Sequence, residues 1–295
     1  MRLLDSRNLK LMEFPPGEVP PYVILSHTWG KDEISIQELQ YINEQIRNKA
    51  GYSKIKRCCD VAADDGFDYV WIDTCCIDKT SSSELSEAIN SMFKWYKQAE
   101  VCYAFLFDVP SSLDSTAFGI ALRNSRWFTR GWTLQELIAP ACVIFFDNDW
   151  KDLGTKSSLR DLICAITLIQ VDVLLGHNIE KFSIAQRMSW ASSRTTTIDE
   201  DIAYCLMGIF QVNMPLLYGE GRNAFMRLQE EIIRRSDDHS IFAWQDRLSS
   251  GMLASSPKSF QSSTDIVRVN SIPAEPFALT NKGVNLKLPL RRIPE

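Results

Sequence analysis

Tyr22-Val23-Ile24-Leu25-Ser26 is a short β-branched apolar run that follows Pro20-Pro21 and ends in a hydroxyl. It is apolar throughout rather than alternating, so it reads as a strand buried on both faces. Three runs of the same kind follow: Tyr69-Val70-Trp71-Ile72-Asp73, Val101-Cys102-Tyr103-Ala104-Phe105-Leu106 and Cys142-Val143-Ile144-Phe145-Phe146. Helical signals separate them. Ile55, Cys58, Cys59 and Ala62 keep helical spacing from Ser53 to Gly66, where the glycine is a stop. Ser81 with Glu84 three residues on is a capping signal, and Leu85, Ile89, Met92, Phe93 and Tyr96 form one stripe behind it. Buried strands alternating with helices predict an α/β fold, a flavodoxin-like parallel sheet flanked by helices with right-handed crossovers.

The strand signal fades from about Ser157. Ile202, Cys205, Leu206 and Ile209 are in helical register between Asp199 and Phe210, as are Phe225, Leu228 and Ile232 between Arg222 and Arg235. The tail is Ser-rich and then carries two β-like segments, Ile266-Val267-Arg268-Val269 and Val284-Asn285-Leu286-Lys287-Leu288. The expected division is an α/β core over 1–156, a mainly helical extension packed on it over 157–236, and a small β-containing tail over 237–295. The chain stops just after a β-like segment, which fits either an edge strand or a fragment of a longer protein.

Composition narrows the function. The 295 residues suffice for one large domain or two small ones, and 45% apolar content is ordinary for a packed core. A net charge of −5 implies no broad basic surface and argues against nucleic-acid binding. The N-terminus lacks the apolar stretch of a signal peptide, and no apolar run approaches a membrane span. The 8 cysteines include the adjacent pairs Cys58-Cys59 and Cys75-Cys76 but no CxxC pair, and His27, His177 and His239 are scattered. That pattern predicts reduced thiols in a cytoplasmic protein and no metal site.

Ligands of open parallel α/β sheets bind beyond the carboxyl ends of the strands. The first strand ends in Ser26-His27-Thr28-Trp29-Gly30, the second in Asp73-Thr74-Cys75-Cys76-Ile77-Asp78, the third in Phe107-Asp108. Each side chain has two readings. His27 caps a turn or meets a ligand; Trp29 covers the sheet edge or stacks on a ring; Asp73 caps the next element or faces the site. Cys75 and Cys76 are small buried residues, or one of them forms a nucleophile pair with His27. After the third strand comes Arg130-Gly131-Trp132-Thr133-Leu134-Gln135-Glu136-Leu137. On a helix Trp132 and Glu136 share a face, opposite Leu134, Leu137 and Ile138. This spacing predicts a carboxylate beside an indole on the outward face, suited to stacking a flat ring and stabilising a nearby positive charge. Tyr218-Gly219-Glu220-Gly221-Arg222 lacks the spacing of a phosphate loop and reads as a helix-entry turn.

Three blocks together resemble the fungal heterokaryon-incompatibility (HET) domain: Tyr22 to Gly30, Tyr69 to Lys79, and Trp127-Phe128-Thr129-Arg130-Gly131-Trp132-Thr133-Leu134-Gln135-Glu136-Leu137. The likeness continues through Asp199 to Gly221 and Asp237 to Trp244. The HET domain is in turn similar to Toll/interleukin-1 receptor (TIR) domains, whose Trp-Cys-x-x-Glu-Leu motif has the spacing and strand order of Trp132 to Leu137, with Thr133 in place of cysteine.

The resemblance implies a TIR-like fold and a cell-death effector that self-associates. It implies cleavage of the nicotinamide–ribose bond of NAD as substrate, with no cofactor and Glu136 as the catalytic carboxylate. Ser26, His27, Trp29, Gly30, Asp73 and Trp132 would then contact or order the substrate. An NLR-type regulatory partner, following the chain or separate, belongs to the same picture. The alternative is a non-enzymatic module that triggers death through homotypic contacts.

Overall fold

The four apolar runs are strands, and they lie side by side. The computed structural model describes residues 1–246, 251–268, 278–280 and 283–285. The strands of the main sheet are β1 (Arg2–Asp5), β2 (Leu11–Glu13), β3 (Val23–His27), β4 (Tyr69–Trp71), β5 (Val101–Phe105), β6 (Val143–Phe146) and β7 (Asp152–Thr155), in the order β2-β1-β4-β3-β5-β6-β7. β3 pairs in parallel with both β4 and β5, and β5 with β6. These four parallel strands are the predicted ones, and their order is the flavodoxin-like 2-1-3-4.

The sheet is mixed rather than parallel throughout. A hairpin of β1 and β2 adds antiparallel to β4, and β7 adds antiparallel to β6. Both additions cover edges that a bare parallel sheet would leave open. Leu3 and Leu4 on β1 are fully buried, so the hairpin also extends the core.

Every residue of β3 is buried, as expected of a central strand covered on both faces. The helix Ala50–Asp64 buries Ile55, Cys58, Cys59 and Ala62, the stripe read from the sequence. The helix Ser82–Gln98 starts where the capping signal lies, and Ser81 Oγ accepts from Glu84 N–H at 3.4 Å. The Glu84 carboxylate does not turn back to complete the box. It accepts from Arg2 Nη2 at 2.7 Å and from Asp78 N–H at 2.7 Å, tying β1 to the helix entry.

The chain divides into two compact units, Met1–His177 and Asn178–Glu295. In the second, Phe225, Leu228 and Ile232 are buried on the helix Asn223–Arg235. The stretch predicted as one helix from Asp199 to Phe210 is two short ones, Asp201–Tyr204 and Met207–Phe210. The glycine-rich turn before Asn223 is a helix entry whose amides are already taken: Glu200 Oε1 accepts from Gly219 N–H at 2.7 Å and Gly221 N–H at 2.8 Å. Of the two β-like tail segments, Ile266 to Arg268 is irregular, with Val269 outside the described residues. Val284 and Asn285 lie in a strand, Gly283–Asn285, paired antiparallel with Ala278–Thr280, while Leu286 to Leu288 fall outside the described residues. No helix among the described residues is long and apolar enough to cross a membrane.

Candidate functional site

The site begins with a problem set by β3. Ser26 is its only hydroxyl, fully buried, and a buried hydroxyl needs partners. It has two. Trp127 Nε1 donates to Ser26 Oγ at 2.8 Å, and Ser26 Oγ donates to Glu136 Oε2. The carboxylate singled out in the sequence is thus joined to the end of the first parallel strand.

Glu136 does not stand on an open face. The helix Thr133–Ile138 is buried at all six positions, and Glu136 is 7% exposed. The helix is short and sunk against β3 and the helix Ser82–Gln98, so it has no solvent side for its polar residues. Burial first, and then the nearby Glu136 carboxylate, pushes the Tyr96 phenol well up. Trp132 is half-buried at the helix start, where its carbonyl accepts from Glu136 N–H at 3.5 Å. Thr133 places its hydroxyl 2.5 Å from Trp127 O and 2.9 Å from Arg130 O, which fastens this helix to the turn carrying Trp127.

The far end of the same helix is held by a buried lysine. Lys156 Nζ donates to Pro140 O at 2.6 Å and Leu137 O at 3.2 Å, satisfying carbonyls that the helix leaves open. Burial lowers its pKa from 10.5 to about 8. Between pH 8 and the value of a free lysine the unfolded chain binds more protons, so stability should rise with pH across that window, by at most about 3 kcal/mol. Urea unfolding at pH 8 and pH 10 should show this rise in the wild type and not in Lys156→Met. Parallel pH curves for the two proteins would refute the assignment.

His27, Trp29 and Asp73 form a second cluster, because β3 and β4 are parallel neighbours ending at the same rim. His27 Nε2 lies 3.0 Å from Asp73 Oδ1, and Trp29 Nε1 donates to Asp73 Oδ2 at 2.9 Å. Lys79 Nζ is 3.6 Å from Asp73 Oδ2 and also 3.6 Å from the centre of the Trp29 ring. Burial alone would raise the Asp73 carboxyl; Lys79, His27 and the Trp29 N–H together hold it well below the usual carboxylate range. On the other side of the imidazole, His27 Nδ1 is 3.9 Å from Glu33 Oε1. Glu33 Oε1 accepts from Gly30 N–H at 2.6 Å and Lys54 Nζ at 2.6 Å. Burial opposes ionisation of Glu33, and His27, Lys54 and the Gly30 amide more than offset it.

A cleft of about 680 Å³ opens where Thr28 to Glu33 leave β3, beside the ends of β5 and β6. This is the point where the strand order reverses, the position that open α/β sheets use for ligands. Trp29 and Gly30 line it, while Ser26, His27, Asp73, Trp132 and Glu136 do not. One wall is Phe105 stacked on Trp150, centroids 4.6 Å apart and 16° from parallel. Trp150 has φ of +63°, a strained conformation for a bulky residue, pinned by Asp147 Oδ1 accepting from the amides of Asp149 and Lys151 at 2.8 and 3.0 Å. The first two turns of the helix Ala50–Asp64 line it as well.

That helix meets the cleft loop through Gly51. A Cβ there would lie 2.3 Å from Asp32 O and 2.9 Å from Glu33 Cα, both backbone atoms. Gly51→Ala should therefore destabilise by about 2 kcal/mol and displace the loop, despite the better helix propensity of alanine. A urea midpoint that rises in this variant would contradict the close approach.

The cysteine chemistry has no support. Cys75 and Cys76 are buried, and their side chains engage Ile72 O and Ile72 N–H. The neighbouring Cys76 side chain and burial push the Cys75 thiol well up, away from thiolate. Among the described residues no group of three or more His, Cys, Asp or Glu is placed to hold a metal ion.

Sequence reading missed Trp127 as the partner of Ser26, Lys79 and Glu33 as partners of the His27 cluster, and the cleft cations. Trp127 and Lys79 stood in the quoted blocks. Nothing in their spacing announced which side chains they meet.

The fold and these contacts define a doubly wound α/β domain with a carboxylate cluster at its strand ends and an open cleft at its switch point. Residues 22–119 match the family described as Heterokaryon incompatibility protein (HET). Residues 223–281 match a domain of unknown function, DUF8212. Over 225 residues, 75% of this chain, it is 46% identical to Vegetative incompatibility protein HET-E-1 of Podospora anserina. The chain spans 17% of the length of that relative. No solved structure matches. Trp127 and Glu136 lie beyond the residues matched to the HET family.

Proposed function

We propose that this chain acts in heterokaryon incompatibility as a TIR-like NAD glycohydrolase that works on self-association and brings about cell death. The observation that carries the reading is the Ser26–Glu136 pair, which puts a buried carboxylate at the end of the first parallel strand. The carbon–nitrogen bond between ribose and nicotinamide breaks, nicotinamide leaves with the bonding electrons, and the ribose develops oxocarbenium character. Glu136 would stabilise that charge or orient the attacking water. Trp29, clamped by Asp73 and Lys79, would offer a ring to stack on. At 7% exposure Glu136 has little access to solvent, so substrate access needs its surroundings to move, which fits activity gated by self-association. NAD and further copies of the chain are the partners in this reading, with an NLR-type regulator as an additional one.

The same burial favours a second reading, a non-enzymatic module that signals through homotypic contacts. Nicotinamide release from NAD, measured at high protein concentration with self-association followed in the same sample, separates the two. Release by wild type that is lost in Glu136→Gln supports the enzyme. No release from an associated wild type supports the module.

A further inference from the structure

The cleft beyond β3 and β5 holds cations that the protein itself does not use. Arg57, on the second turn of the helix Ala50–Asp64, and Arg126, at the head of the turn Arg126–Thr129, both line it and are both exposed. Neither side chain makes a hydrogen bond or ion pair with another described residue, and the same holds for Lys31 on the loop that follows β3. The acidic residues of the cleft are Asp32, Glu33 and Asp149, and Asp32 is exposed. Glu33 is held by Lys54, and Asp149 accepts from Ser111 Oγ at 2.5 Å. Apart from the Glu33–Lys54 pair, the cleft sets the cations Arg57, Arg126 and Lys31 against the carboxylates Asp32 and Asp149, a cationic excess in a chain whose net charge is −5. The positive end of the helix dipole adds to it, because Ala50, Gly51 and Ser53 also line the cleft. Aromatic surface stands beside this charge: Trp29 is 51% exposed, Phe107 is 47% exposed, and the strained Trp150 backs Phe105.

We propose that this cleft is the phosphate subsite of a nucleotide site, with Arg57 and Arg126 taking the oxygens of a diphosphate and Lys31 adding charge. Guanidinium groups bind phosphate oxygens in pairs and in a fixed plane, and an exposed ring beside them accepts a base by stacking. The volume of about 680 Å³ suits a ligand of nucleotide size. The assignment rests on the reading that the domain takes a nucleotide. It deepens that reading by separating where the phosphates are held from where Glu136 acts.

ADP is the probe, because it carries the diphosphate and no nicotinamide to release. Calorimetric titration of the full chain should show ADP binding that weakens with salt and is displaced by inorganic pyrophosphate. Arg57→Ala with Arg126→Ala should weaken ADP at least tenfold without altering thermal unfolding, since both side chains are exposed and unbonded. Arg57→Lys should recover part of the loss, keeping the charge but not the fork. Absence of ADP binding by wild type, or equal binding by the double variant, overturns the proposal. The two readings fail separately. ADP binding without NAD cleavage would leave the subsite standing and remove the enzyme, whereas NAD cleavage with an unchanged KM in the double variant would do the reverse.

Discussion

Glu136→Gln is expected to fold as the wild type does and to release nicotinamide from NAD at least a hundredfold more slowly. Glutamine keeps the length and shape of the side chain, and its amide oxygen can still accept from Ser26 Oγ, so the Trp127–Ser26 arrangement has no reason to change. What it lacks is the negative charge. Electrostatic stabilisation of a developing charge in a water-poor site is commonly worth about 3 to 4 kcal/mol, which sets the hundredfold floor. The measurement is the rate of nicotinamide release by both proteins at a concentration where each is shown to self-associate, with thermal unfolding alongside. Equal rates in two well-folded proteins would remove Glu136 from the chemistry.

Trp127→Ala should cost the first unit about 3 to 5 kcal/mol. The indole is among the largest fully buried side chains, packs edge-on against Phe128 at 5.0 Å and Phe145 at 5.5 Å, and donates the hydrogen bond that holds Ser26. For a unit of this size that cost corresponds to a fall in Tm on the order of 10 °C. Trp127→Phe separates the two roles. It keeps an aromatic ring in the core but loses the N–H and part of the indole volume, so it should cost less, about 2 kcal/mol. Urea unfolding of the two variants provides the comparison, and an alanine variant no less stable than the phenylalanine one would show that the indole is not a packing centre.

The four parallel strands were legible because each is buried on both faces and therefore uniformly apolar. The flanking strands were not. Arg2–Asp5 is short and polar at both ends, and Asp152–Thr155 is half-exposed at an edge, so neither carries an apolar run. The expectation for Glu136 was right about its helix and wrong about its surroundings. Periodicity separates Glu136 from Leu134, Leu137 and Ile138, but it assumes that one face of a helix meets water, and the helix Thr133–Ile138 has no such face. The open cleft was located by the strand-end rule through Trp29 and Gly30, while Arg57 and Arg126 looked like ordinary surface cations.

The sequence alone determined the α/β class, the strand ends that bear chemistry, and the residue types gathered there, because burial and helical spacing are local properties written in short windows. Only the tertiary structure decided that Ser26 meets Glu136 across 110 positions of sequence and that His27 meets Asp73 across 46. It also decided that the acid is buried while the cleft beside it stands open. Those outcomes depend on the lateral order of strands and the depth at which a short helix is sunk, and the residues that set them are far apart in the chain.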